Sequence, residues 1–180
     1  MPHRKALIAA AAIVLAAAPA ARANTSINLE GFGGWQDLRL SSPAQSLGNA
    51  IGSREGTGIV GGDVMLDLSG LGLGVLVDKT MSGNFGQPWS GSVLAGFLFD
   101  VLPSLRIEAL GEVGRRGRDF GNIFDSGGSM FVGLRPGVSV RLVPTMLRVG
   151  VTGIVRWPTS NGDFGSPDYG VVGKVGFELP

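Results

Sequence analysis

The chain has 180 residues, with 15 Lys and Arg against 14 Asp and Glu, and no cysteine. A net charge of +1 leaves no basic footprint for nucleic acid. Without thiols there is no disulfide framework, cysteine nucleophile or thiolate metal site. Charged residues are only 16% of the chain, against roughly a quarter in soluble domains, while glycine reaches 31 residues. The glycines follow no three-residue period and mean hydropathy is +0.28, so collagen-like and disordered readings fail. A barrel whose interior needs small side chains is left.

The first residues read as an exported leader. A basic stretch (His3, Arg4, Lys5) precedes an apolar run from Ala6 to Ala18, then Pro19 and the small-residue site Ala21-Arg22-Ala23. That layout predicts a secretory signal peptide over residues 1–23, cleaved after Ala23, and a single domain over 24–180. The run is shorter than the roughly 20 residues a spanning helix needs. The only histidine, His3, leaves with the leader, so the mature chain lacks the usual base for a serine nucleophile and the commonest metal ligand.

Period-two alternation fills the remainder. The first expected strand, Ile27–Trp35, sets Ile27, Leu29, Gly31, Gly33 and Trp35 on one face. The second, Thr57–Leu68, sets Val60, Gly62, Val64, Leu66 and Leu68 against Asp63, Met65 and Asp67, before a tight turn at Ser69-Gly70. The third, Leu71–Lys79, opposes Leu71, Leu73, Val75 and Val77 to Gly72, Gly74, Leu76 and Asp78. The fourth, Ser90–Leu102, opposes Val93, Ala95, Phe97, Phe99 and Val101 to Ser92, Leu94, Gly96, Leu98 and Asp100.

After Pro103-Ser104, the fifth strand, Leu105–Gly114, sets Ile107, Ala109 and Val113 against Arg106, Glu108, Leu110 and Glu112. The sixth, Ser129–Val143, sets Val132, Leu134, Val138 and Val140 against Gly133, Arg135, Ser139 and Arg141; Pro136 within it suggests a bulge. Pro144-Thr145 is the next turn. The seventh, Met146–Trp157, sets Leu147, Val149, Val151 and Val155 against Arg148, Gly150, Thr152 and Arg156. The last, Tyr169–Leu179, sets Tyr169, Val171, Val175, Phe177 and Leu179 against Gly170, Lys174, Gly176 and Glu178. Short connections follow strands 2, 4 and 6, and long ones follow strands 1, 3, 5 and 7. The sum is an all-β fold, an eight-stranded antiparallel up-and-down transmembrane β-barrel.

Alternation alone does not say which face is outside. The polar face is crowded with glycine, unlike a solvated exterior. Its charges are Glu30, Asp63, Asp67, Asp78, Asp100, Glu108, Glu112 and Glu178 against Arg106, Arg135, Arg141, Arg148, Arg156 and Lys174. Sets of that size can pair across a lumen, as buried charges must. The apolar face carries only Lys79, at a strand end. Trp35, Trp89, Trp157 and Tyr169 fall at long-loop ends and read as an interfacial aromatic belt. Lipid outside and charge inside follow.

These features resemble the small eight-stranded outer-membrane barrels of Gram-negative bacteria, the OmpX and OmpA transmembrane-domain type. The resemblance covers residues 27–179. It implies a multi-pass outer-membrane location, a monomer, outer-membrane lipid as surroundings, and insertion by the barrel-assembly machinery. Members usually end in an aromatic residue; here Phe177 stands three residues before the terminal Pro180. Barrel enzymes of similar architecture use a histidine beside serine, which the mature chain lacks, so no catalysis is expected.

Other motifs carry less. Gly56–Gly61 matches G-x-G-x-x-G, but a strand-like run follows it where the dinucleotide motif needs a helix. Asp63/Asp67 and Glu108/Glu112 each span ~13 Å along a strand at about 3.3 Å per residue, too far for a direct carboxylate pair, so lumenal ion pairing is the better reading. Asp119, Asn122 and Asp125, or Asn161 and Asp163, lack EF-hand spacing. No cofactor or metal is called for. Arg115, Arg116 and Arg118 lie near the expected outer rim, where guanidinium forks suit lipopolysaccharide phosphates.

The expected role is structural or surface-interacting, with a lumen plugged by the charge set plus Leu76, Leu98, Leu110 and Ile154. Two alternatives stay open at this level: a narrow pore or small-ligand transporter, and a soluble periplasmic barrel holding a hydrophobic ligand.

Overall fold

The structure, a computed structural model, describes residues 25–38, 55–81, 87–117, 129–142, 146–160 and 163–179. The expected leader, Arg118, the Pro144-Thr145 turn, Asp119, Asn122, Asp125 and Asn161 lie outside them. Nine strands are described: β1 (Thr25–Leu38), β2 (Glu55–Leu68), β3 (Leu71–Thr80), β4 (Trp89–Leu102), β5 (Leu105–Gly117), β6 (Ser129–Arg141), β7 (Leu147–Ser160), β8 (Asp163–Phe164) and β9 (Asp168–Leu179). Eight are long. The two-residue β8 folds back on the end of β7, pairing Thr159 with Phe164 and Ser160 with Asp163.

Every long strand pairs antiparallel with its neighbours, and the β1–β9 and β6–β7 ladders close the sheet into a ring. Closure leaves no long strand with a free edge, a condition for β-structure in hydrocarbon. One circuit of the ladders runs from Ile27 through Leu66, Leu73, Ala95, Gly111, Leu134, Val155 and Tyr169 back to β1 at Asp37. The stagger is therefore ten residues, from 27 to 37. For eight strands it sets a tilt of about 41° and a backbone radius of roughly 8 Å, using ~3.3 Å rise and ~4.8 Å spacing. A 14-residue strand so tilted is about 35 Å tall, enough for the hydrocarbon layer.

The β2–β3 turn shows how local chemistry sets register. Ser69 (φ 55°) and Gly70 (φ 96°) both lie in the left-handed region, as a two-residue hairpin matching strand twist requires. The Gly70 amide donates to Asp67 Oδ1 at 2.9 Å. Ser69 carries the steric cost that glycine avoids.

Pro136 does not make the expected bulge. Leu134↔Val155 and Gly137↔Thr152 share one register, and Ala109↔Pro136 continues the β5 ladder unbroken. Proline, lacking its N–H, interrupts pairing with β7 for two residues without inserting one. The register shift lies between Asp100 and Leu102, where β4 enters the turn to β5.

Replacing Ser69 by Asn, which tolerates this conformation better, should stabilise the barrel by about 0.5–1 kcal/mol in urea unfolding from detergent. A loss would mean the turn relaxes elsewhere in the folded protein.

Candidate functional site: a charge-filled lumen

Eight tilted strands of alternating side chains point one residue in two into a space just wide enough for side chains to fill. The inward set is charged and apolar together. Leu76, Leu98, Leu110 and Ile154 are buried there, joined by Phe32, Ile59, Met65, Leu94 and Val172. The ion pairs fall into three layers.

At the long-loop end, Arg156 is fully buried. Its Nε donates to Glu112 Oε1 at 2.6 Å and its Nη2 donates to Glu112 Oε2 at 3.2 Å and to Asp78. Arg135 Nη1 lies 3.7 Å from Glu112 Oε2, and Ser92 Oγ donates to the same oxygen at 3.4 Å. The register explains the main contact. Glu112 on β5 and Arg156 on β7 both face Gly133 of β6, and a Cβ on Gly133 would stand 2.7 Å from Glu112 Oε1. The glycine leaves the gap across which the two side chains meet.

In the middle layer Lys174 Nζ bonds Glu30 Oε2 at 2.7 Å and Glu108 Oε2 at 2.6 Å, and Ser139 Oγ donates to Glu108 Oε1 at 2.9 Å. Asp63 is the direct cross-strand partner of Glu30, and its buried Oδ1 has no hydrogen-bond partner. Like charges placed opposite each other in a ladder are destabilising. Three carboxylates, Glu30, Glu108 and Asp63, therefore share the level served by one ammonium.

At the short-turn end Arg106 joins Asp100 (2.8 Å), Asp67 (2.9 Å) and Glu178 (3.8 Å). Arg148 and Arg141 both close on Glu178 Oε2. Asp100 is 52% exposed, so this layer forms the mouth.

Two inward phenylalanines were not singled out in the sequence. Phe32 lies across from Gly61 and Phe131 across from Gly114; each ring tip would stand 2.6 Å from a Cβ on its glycine. Arg135 sits 5.0 Å over Phe32, and Arg156 4.7 Å over Phe131. The guanidiniums thus have a carboxylate on one side and an aromatic face on another. The signal was available: both phenylalanines occupy polar-face positions of their strands.

The charged lumen residues named from the sequence thus lie on inward-facing positions. The paired motifs separate as spacing required: Glu108 serves Lys174 while Glu112 serves Arg156. The Gly56–Gly61 run lies wholly inside β2, so no helix N-terminus follows it.

The arginine trio needs correction. β5 extends to Gly117, so Arg115 and Arg116 are strand residues on opposite faces. Arg116 turns inward, pairs with buried Asp168 at 2.9 Å and lies 5.9 Å over Phe131, so it is engaged within the barrel and not presented on the outer face. Arg115 faces outward. On that face Trp35 and Tyr169 are exposed, Trp89 and Trp157 half-buried, all at long-loop strand ends. Lys79 also faces out, 5.3 Å over the Trp89 ring.

No protein-family model matches the chain, and no curated protein matches it. Among solved structures, the N-terminal β-barrel domain of Pseudomonas aeruginosa OprF superposes with a TM-score of 0.61 at 12% identity, covering 86% of this chain and 97% of that one. Neisserial surface protein A superposes with a TM-score of 0.57 at 13% identity, covering 86% and 96%. The chain shares their fold. At these identities the likeness concerns architecture alone.

Two substitutions probe the lumen. Arg156→Met strands Asp78 and Glu112 in a closed interior and should cost about 3–5 kcal/mol. Asp63→Asn relieves the opposed carboxylates and should instead gain roughly 1 kcal/mol. Urea unfolding in detergent reads both; a destabilised Asp63→Asn variant would show that the carboxylate has a partner after all.

Proposed function

We propose that the protein is an integral outer-membrane β-barrel of Gram-negative type, exported by its leader, with a structural or surface-interaction role. Its long loops face outward and its lumen is plugged by paired charges. The observation that carries this reading is the sorting of side chains. Val75, Val93, Phe97, Phe99, Val113, Leu134, Val151, Val171 and Phe177 are exposed on the outside, while Arg106, Glu108, Glu112, Arg135, Arg148 and Arg156 are buried inside. Water would favour the reverse arrangement. Arginine or lysine at the bilayer midplane costs roughly 2–4 kcal/mol, and the outward cations stand at a rim instead.

On this reading the barrel is a monomer inserted by the assembly machinery, and it carries out no catalysis. Of the proposed lipopolysaccharide contacts, Arg115 keeps the role on geometry. The soluble ligand-carrier alternative needs an apolar interior, whereas Glu30, Glu108 and Lys174 occupy the middle of this one. The pore alternative needs an open path, which the Arg156 and Lys174 layers obstruct.

Cell fractionation with gel analysis tests the location. The expected result is a band in the outer membrane that migrates faster unheated than boiled. A folded protein in the soluble periplasmic fraction would contradict it. Planar-bilayer recordings should give little or no conductance, and large stable openings would refute the plug.

A further inference from the structure

The outward face presents two cations among the described residues, Lys79 and Arg115, and neither forms an ion pair with a described carboxylate. Arg106, Arg116, Arg135, Arg141, Arg148, Arg156 and Lys174 each do. Arg115 Nε is buried with no hydrogen-bond partner. The two flank β4 on a diagonal: Lys79 faces Trp89, and Arg115 faces Gly91, two residues further along the same strand. Having no side chain, Gly91 leaves the outer face beside Arg115 open.

Below Lys79 on the same face runs a shallow, open groove of about 440 Å³, walled by Leu29, Val64, Val75 and Val77 and floored by the cross-strand pairs Gly31–Gly62 and Glu30–Asp63. The two floor glycines differ: a Cβ at Gly62 would stand 3.0 Å from the Glu30 carbonyl oxygen, whereas packing does not force Gly31. A Cβ at Gly31 would meet nothing within 4 Å, in contrast to Gly133 in the lumen. Glycine weakens a strand and gives up apolar contact with lipid. A position with room for valine therefore holds a depression instead, directly along β3 from the Lys79 ammonium.

We infer that the groove on β1–β3 binds one acyl chain of lipopolysaccharide, with Lys79 and Arg115 holding its phosphate. The inference rests on the outer-membrane reading above, which places this rim in the outer leaflet. Charge complementarity selects the occupant. Two cations without acidic partners, at the depth of the tryptophan belt, suit an anionic head group joined to a chain, whereas a second copy of this chain would bring the same positive pair to the interface.

Native mass spectrometry of the full barrel released from detergent, titrated with rough lipopolysaccharide, phosphatidylglycerol or phosphatidylcholine, tests the site. A heat-shifted band first confirms that each variant is folded. Lipopolysaccharide should bind as a single adduct at least tenfold tighter than phosphatidylcholine. Lys79→Ala with Arg115→Ala should remove that preference. Gly31→Leu, or the smaller Gly31→Val if leucine impairs folding, should weaken lipopolysaccharide binding severalfold. Gly111→Leu, on the same face of β5 where a Cβ also has room (nearest atom 3.6 Å), should match the parent.

Equal binding of phosphatidylcholine, equal binding of phosphatidylglycerol, or an unaffected Gly31 variant would each overturn the inference. So would a dimer that Gly31→Leu dissolves. A barrel that enters detergent and shifts on heating but shows no preference removes this inference alone; a chain that folds without amphiphile removes the membrane reading beneath it.

Discussion

Inside a cylinder of roughly 8 Å radius, a charge cannot reach bulk water by bending, so it must find its opposite. That constraint organises the protein. Arg156, fully enclosed between Asp78 and Glu112, shows it most plainly: an unpaired guanidinium there would face a desolvation penalty of several kcal/mol. Pairing demands a fixed register on three strands at once, which the ladders of β3, β5 and β7 supply. The same demand explains Gly133, whose absent side chain lets Glu112 and Arg156 meet across β6.

The outer face obeys a complementary constraint. In hydrocarbon every backbone group must be bonded within the protein, and a ring of eight long strands does so with no free edge. A ten-residue stagger tilts the strands so that chains of 10 to 14 residues have the height that the proposed bilayer crossing needs. Paired charge within and apolar side chains without are two results of one two-residue period. A slip of one residue in any strand would place its arginines or carboxylates on the outer face and its valines in the lumen.

Much of this was legible in the sequence because period-two patterning is local. The inward and outward faces of β5, β7 and β9 follow from Arg106, Glu108 and Glu112, from Arg148 and Arg156, and from Lys174 and Glu178, each alternating with Val, Ile or Phe. Partnerships were not legible. That Lys174 bridges Glu30 and Glu108 depends on registers between strands distant in sequence. Strand ends also escaped: β5 runs past Gly114 because Arg115 and Arg116 continue the alternation with charge on both faces, where polarity suggests a loop. Pro136 misled for a related reason, since proline breaks a ladder without displacing it. The cation–aromatic contacts of Phe32 and Phe131 required knowing that a glycine stands opposite each ring.

The lumen's layers are uneven in charge. Balanced sets close both ends, while the middle holds Lys174 among Glu30, Glu108 and Asp63. The most direct test of charge inside and lipid outside uses the absence of cysteine. Single cysteines at Val93, Val151 and Val175 in the barrel reconstituted in bilayers would carry spin labels for collision measurements. The account predicts strong relaxation by dissolved oxygen and little by a water-soluble nickel complex at all three positions. Preferential access of the nickel complex would contradict it.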